Sequence, residues 1–132
     1  MFYFNCILLI DDDPTSNIVT EELLKQLYFS DRIVSVLNAE DALNFIKDFY
    51  QEKQGLPELI LIDINMPGTD GFKFVETLNA LPFIDKDTFR ISALTSSSDS
   101  RDRHLMEKLG VDHYIVKPLN AKKVRDMLSA IN

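Results

Sequence analysis

One cysteine in 132 residues leaves no partner for an intrachain disulfide. Cys6 lies inside the apolar run Cys6-Ile7-Leu8-Leu9-Ile10, where a small buried residue is the ordinary expectation and a reactive thiol is not. Long hydrophobic runs are missing: the longest cover about five residues, against the roughly 20 needed to cross a bilayer. The apolar start, Met1–Asn5, has no basic stretch before it, and Asp11, Asp12 and Asp13 interrupt anything resembling a signal sequence. The sequence therefore predicts no membrane insertion and a place in the cytoplasm. Basic residues are outnumbered, with 14 Lys and Arg against 21 Asp and Glu and a net charge of −7. That balance argues against direct nucleic-acid binding, because phosphate contacts need a basic face. No internal repeat, low-complexity tract or Pro/Gly/Ser linker divides the chain, and only Ser96-Ser97-Ser98-Asp99-Ser100 is mildly biased. A single domain over residues 1–132 is expected, since the length suits one ordinary core.

Five short apolar runs recur with room for a helix between them: Cys6–Ile10, Ile33–Leu37, Leu59–Ile62, Ile91–Leu94 and Tyr114–Val116. Several are apolar at consecutive positions, the mark of strands covered on both faces of a parallel sheet. The intervening segments carry helical spacing. Ile18, Val19, Leu23, Leu24 and Leu27 form one stripe, and Ala42, Ile46 and Phe49 a second. Phe74, Val75 and Leu78 form a third, Leu105, Met106 and Leu109 a fourth, and Val124, Met127, Leu128 and Ile131 a fifth. Asp13-Pro14 reads as a cap followed by proline at the first helical position; Asn38 and Asn120 suit the same capping role. Gly55 and Gly110 stand where helix C-terminal glycines belong. The expected fold is an α/β three-layer (βα)5 doubly wound parallel sheet. Its expected strand order is the flavodoxin-like 2-1-3-4-5.

The polar residues gather at one end of that sheet. The first strand runs into Asp11-Asp12-Asp13, the third ends in Asp63, the fourth in Thr95 and the fifth in Lys117. Ligands of open parallel sheets bind outside the carboxyl ends of the strands, at the point where strand order reverses. Several carboxylates in one crevice repel one another, and a hard divalent cation such as Mg2+, which prefers oxygen ligands, relieves that repulsion. An aspartate can itself be the nucleophile in phosphoryl transfer, while Lys117 supplies a point charge and Thr95 a hydroxyl donor. Each residue alone has a plainer role. Asp13 caps a helix, Asp11 or Asp12 starts a turn, Asp63 opens a loop, Thr95 ends a strand and Lys117 is a solvated charge. Their coincidence at one sheet edge carries the argument.

At these residues the chain resembles, over essentially its whole length, the receiver domains of two-component response regulators. Ile7-Leu8-Leu9-Ile10-Asp11-Asp12-Asp13-Pro14 is similar to the family's first strand and acidic pair. Leu61-Ile62-Asp63-Ile64-Asn65-Met66-Pro67-Gly68 with Asp70-Gly71 is similar to its phosphoacceptor loop. Ala93-Leu94-Thr95-Ser96 resembles the switch-threonine segment, and Tyr114-Ile115-Val116-Lys117-Pro118-Leu119 the lysine–proline segment. The resemblance implies Asp63 as phosphoacceptor and Mg2+ held by Asp12 directly, Asp11 largely through water, Asp63, and the backbone carbonyl of Asn65. It implies Lys117 as partner of the acceptor and its phosphate, a cis Lys117–Pro118 bond, small Ser96 beside an open site, and a switch made of Thr95 and Tyr114. It implies Asn65 and Ser97 beside the hydrolytic water path, and the fourth helix, fifth strand and fifth helix as the output surface. The implied partners are a sensor histidine kinase or phosphotransfer protein and a downstream protein target. The chain is expected as a monomer or a phosphorylation-dependent dimer that catalyses its own phosphorylation and dephosphorylation without being an enzyme for a separate substrate.

Two other readings share parts of this pattern. Haloacid-dehalogenase-like phosphatases also use an aspartate nucleophile and Mg2+ on a doubly wound sheet, and Asp11-Asp12-Asp13 contains their Asp-x-Asp spacing. They leave Asp63 and Lys117 without a shared role, and turnover of a phosphomonoester would mark them. A pure protein-binding module on the same fold would not bind Mg2+. A nucleotide or flavin binder is disfavoured, since no glycine-rich loop follows the first strand. His104, on an exposed helix face over Ser100–Leu109, and His113, ahead of a strand, are expected as surface residues rather than phosphohistidines. With the last helix ending near Asn132, the domain is expected to act through a partner or to be part of a larger protein.

Overall fold

Each of the five apolar runs becomes a strand, and each helical stripe becomes a helix. The structure is a computed structural model that describes all residues except 1–3, 28–29, 31, 54, 65, 67–70, 97–99 and 132. In chain order the elements are β1 (Ile7–Ile10), α1 (Pro14–Gln26), β2 (Ile33–Val36), α2 (Ala39–Lys53), β3 (Leu59–Asp63) and α3 (Gly71–Ala80). They continue with β4 (Arg90–Thr95), α4 (Ser100–Lys108), β5 (His113–Val116) and α5 (Ala121–Ile131), with a short 3-10 turn over Lys86–Thr88. All pairings are parallel and the sheet order is β2-β1-β3-β4-β5, as expected.

The central strands β1 and β3 are buried at every position, which is why they are apolar without alternation. Their side chains feed two cores, one on each face. Leu8, Ile10, Ile60 and Ile62 pack with α2, α3 and α4 through Ile46, Phe74, Val75 and Met106. Ile7, Leu9, Leu59 and Leu61 pack with α1 and α5 through Leu24, Val124 and Met127. Removing one such side chain, for example Leu61→Ala, leaves a cavity worth roughly 2–5 kcal/mol.

Local chemistry sets the helix ends. The Asp13 carboxylate accepts from Thr15 N at 3.0 Å, with Pro14 at the first helical position. Asn38 accepts from Asp41 N at 2.7 Å and Asn120 from Lys123 N at 2.9 Å. Gly110, at φ 89, closes α4 in the left-handed region, where a Cβ would be strained. Gly71 opens α3 for a different reason: a Cβ there would stand 2.8 Å from Ile64 Cα, so only glycine lets the helix start against the end of β3.

The apolar stripes and runs need three corrections. In α1 the inward face is Asn17, Thr20 and Leu24, while Ile18 and Val19 are 61% and 59% exposed. In α4 Met106 is buried but Leu105 is 43% exposed. Leu37 lies beyond β2 and is exposed, because an edge strand is covered less completely than a central one; β2 is half-buried throughout. His113 is the first residue of β5 rather than a residue ahead of it. Ile131 of the fifth stripe carries no described side chain.

Candidate functional site

Sheet register brings the polar strand ends together. Ile10 of β1 is level with Ile62 of β3, so Asp11 and Asp63, each one residue further on, leave the sheet side by side. Asp63 is level with Leu94, placing Thr95 one step beyond it, and Thr95 is level with Val116, placing Lys117 one further step beyond. Four strands therefore deliver their terminal residues to one crevice.

Lys117 is the centre of the cluster. Its ammonium donates to Asp11 Oδ2 at 2.8 Å and to Asp63 Oδ2 at 3.1 Å. Both carboxylates are buried, at 4% and 6% exposure, so each needs such a partner. Burial works against the Lys117 ammonium, but the hydrogen bonds to Asp11 and Asp63 outweigh it and raise its pKa above the usual lysine value. Asp11 Oδ1 accepts from Asp13 N at 3.0 Å, closing the turn after β1. Asp12 is exposed, and one oxygen from each of Asp11, Asp12 and Asp63 lies within 4.8 Å of the others. Partial desolvation, together with the charges of Asp11 and Asp63, raises the Asp12 carboxyl above the usual range. Three hard oxygen donors that repel one another and open on the solvent side through Asp12 suit a small divalent cation. Asn65, the remaining expected contributor, lies outside the described residues, as does Ser97.

Thr95 is fully buried at the end of β4, and its carbonyl accepts from Lys117 N at 2.7 Å. Ser96 after it is exposed. The Lys117–Pro118 bond is cis. Tyr114 is half-buried on β5, packed against the α2/α3/α4 core, with the Arg103 guanidinium carbon 5.3 Å from its ring centroid. His104 is exposed.

One contributor escaped the sequence reading. Asn17, 5% exposed on the inner face of α1, donates to the Asp11 carbonyl at 3.0 Å and reaches toward the Val36 carbonyl at 3.5 Å. It ties α1, the end of β2 and the acidic turn together. The available signal was a polar residue, six positions after Asp11, where an inward-facing aliphatic would be usual. Beside the site, Val19, Thr20, Leu94, Pro118 and Leu119 wall a groove of about 410 Å3 that runs past Asp13 and Lys117.

A five-stranded 2-1-3-4-5 parallel sheet whose carboxyl ends hold an acidic trio, two of its members bridged by one lysine, is a flavodoxin-like receiver fold. Residues 7–129 match the response regulator receiver domain family, and the chain belongs to that family of two-component signalling domains. A two-component response regulator from Cytophaga hutchinsonii is 30% identical, with a TM-score of 0.86 over 96% of this chain and 95% of that one. The transcriptional regulatory protein AruR of Pseudomonas aeruginosa is 33% identical over 121 residues, 89% of this chain but 45% of that protein. An uncharacterized 14.6 kDa protein encoded in the sodA1 3' region of Leptolyngbya boryana is 33% identical over 116 residues, 86% of this chain and 79% of that one. The chain spans about half the length of several curated relatives, between 44% and 49%. Among the described residues no helix is long and apolar enough to cross a membrane.

Proposed function

We propose that this domain accepts a phosphoryl group on Asp63 from a phosphohistidine of a sensor histidine kinase or phosphotransfer protein. The observation that carries the reading is the Lys117 ammonium, bonded at 2.8 and 3.1 Å to Asp11 and to Asp63. A lysine held there neutralises the nucleophilic carboxylate before transfer and can follow the phosphoryl oxygens after it. An Asp63 oxygen attacks phosphorus in line, the phosphorus–nitrogen bond breaks with its electron pair going to the donor imidazole, and an acyl phosphate forms. In the return step water attacks phosphorus and inorganic phosphate leaves, restoring the Asp63 carboxylate.

Asp11, Asp12, Asp63 and the Asn65 carbonyl are the proposed Mg2+ ligands. Bound Mg2+ would offset the negative charge of the carboxylates and the transferring group. The groove beside Lys117, walled in part by the exposed Val19, offers an apolar seat for the donor. After transfer, the Thr95 hydroxyl turns toward the phosphoryl group and Tyr114 moves inward behind it, shifting the surface of α4, β5 and α5. The output is a downstream protein target, reached in the cytoplasm by a monomer or a phosphorylation-dependent dimer.

Intact-mass measurement with a small acyl phosphate tests this. Wild type should gain one phosphoryl group only when Mg2+ is present, and Asp63→Asn should gain none. Labelling of Asp63→Asn to the wild-type extent would move the acceptor elsewhere, and turnover of phosphomonoesters would favour a phosphatase.

A further inference from the structure

Asn17 is buried on α1, where a polar side chain is costly unless it is hydrogen-bonded. Its Nδ2 stands 3.0 Å from the Asp11 carbonyl and 3.5 Å from the Val36 carbonyl. Carbonyl oxygens only accept, so the amide turns its NH2 end to both, one hydrogen for each. The two carbonyls lie where β1 and β2 separate. Ile10 and Val36 are the last paired residues, and just beyond them Asp11 N donates to the Val36 carbonyl at 3.2 Å. One turn along the same face of α1, Glu21 accepts from the Ser35 hydroxyl at 3.0 Å, so this face is bound to β2 at two levels.

These bonds fix the backbone on both sides of the Asp11 Cα. The peptide before it is held through Asp11 N, and the peptide after it through the Asp11 carbonyl. Each peptide is planar, so the two holds together leave little freedom in the Asp11 φ and ψ. The second plane also carries the Asp12 nitrogen. Asp12 is exposed, so its carboxylate is aimed by its backbone rather than by a surrounding core. We propose that Asn17 is a positioning residue for the metal site, fixing the Asp11–Asp12 peptide so that both carboxylates face a shared Mg2+ and thereby setting the affinity for that ion. Asn17 touches neither the ion nor the phosphoryl group. Its effect passes through the peptide, as the groups that orient metal ligands commonly act. The proposal rests on the reading of Asp11, Asp12 and Asp63 as Mg2+ ligands and is independent of whether Asp63 accepts a phosphoryl group.

Calorimetric titration of the full chain with MgCl2, without phosphodonor, tests it. Asn17→Leu keeps a similar volume and removes the donor. Asn17→Ser leaves room for a water that can donate to both carbonyls in its place. Leu78→Ala, late in α3 and in the core on the other face of the sheet, lowers stability without touching the acidic turn. The Mg2+ Kd of Asn17→Leu should rise about tenfold or more, that of Asn17→Ser should fall between Asn17→Leu and wild type, and that of Leu78→Ala should match wild type. With a small acyl phosphate, Asn17→Leu should need correspondingly more Mg2+ for half-maximal phosphoryl gain yet reach the wild-type extent at saturation. A merely structural role would lower the urea midpoint and leave the Kd of the folded protein in place. A wild-type Kd in Asn17→Leu overturns the proposal. So does Asn17→Ser binding more weakly than Asn17→Leu or as tightly as wild type, because packing rather than the donor, or neither, would then matter. An equal loss in Leu78→Ala overturns it as well. Wild type that binds no Mg2+ removes the metal reading and this proposal with it. Mg2+ affinity lost in Asn17→Leu while Asp63 takes no label leaves this proposal standing and removes the phosphoacceptor reading.

Discussion

Replacing Asp12 by Asn should stabilise the domain without Mg2+ and destabilise it, relative to wild type, with Mg2+. In the cluster one Asp12 oxygen lies within 4.8 Å of oxygens on both Asp11 and Asp63. Two unit charges at that distance repel by about 1 kcal/mol in water-like surroundings and by about 3.5 kcal/mol at an effective dielectric constant of 20. Asp12 is exposed, so the lower figure applies to each pair, and the Lys117 ammonium between Asp11 and Asp63 offsets part of the sum. A net gain of about 1 kcal/mol remains, or about 3–4 °C in midpoint for a domain of this length. Saturating Mg2+, at about 100 times its Kd, would stabilise wild type by about 2.7 kcal/mol, and the variant, short of one ligand, by much less. The order of the two proteins should therefore invert. The raised Asp12 pKa gives the sign with pH. The protonated carboxyl is favoured by the fold, so its contribution is present below the usual value of 3.8 and is lost as pH rises through the higher folded value. The gap between variant and wild type should shrink toward acid. Urea unfolding followed by circular dichroism, with and without Mg2+, is the assay. A variant less stable than wild type in chelator, or stabilised by Mg2+ as much as wild type, would refute the reasoning.

Gly71→Ala should destabilise by about 1–3 kcal/mol, because the new Cβ must displace the Ile64 backbone from 2.8 Å; an unchanged urea midpoint would show that α3 shifts freely. Cys6 is fully buried and its thiol is pushed up to about 11 by burial, against a smaller opposing effect of Arg32. A disulfide reagent should therefore label it only on unfolding, and labelling of the native protein at the rate of a free thiol would contradict this. Burial, then the charge of Arg103, lowers the His113 pKa below 6.5, with Asp126 acting the other way. The unfolded chain thus binds the extra proton more readily, and the stability tied to neutral His113 is complete above pH 6.5 and lost as pH falls through the lower folded value. His113→Gln should narrow the difference in urea midpoint between pH 7.5 and pH 5, and an equal difference in both proteins would remove His113 as its cause.

Most of the fold was legible in the sequence because burial and period agree along it. Strands β1 and β3 have no exposed face, so Ile7–Ile10 and Leu59–Ile62 could only be continuous apolar runs. The helix starts were written in Asp13, Asn38 and Asn120, whose short side chains cap the backbone within three residues. The strand-end rule was enough to gather Asp11, Asp12, Asp63, Thr95 and Lys117 at one edge, since parallel strands must all finish on the same side. Local pattern failed where a helix meets something other than the apolar core. The first turns of α1 lean on the acidic turn, so their buried residues are Asn17 and Thr20, and Ile18 and Val19 are left outside. The edge strand β2 and the outward Leu105 deceived for a similar reason: hydrophobic character says that a residue can be buried, and only the neighbouring layer says whether it is. The sequence alone thus settled the order of elements and the chemistry available at their ends, because both depend on residues close together in the chain. Which carboxylates share the Lys117 ammonium, the Asn17 tie to the Asp11 carbonyl, and the outward turn of Leu105 on α4 were decided only by tertiary structure. The first joins residues 106 and 54 positions apart, and the other two depend on which face of a helix its neighbours cover; packing alone determines both.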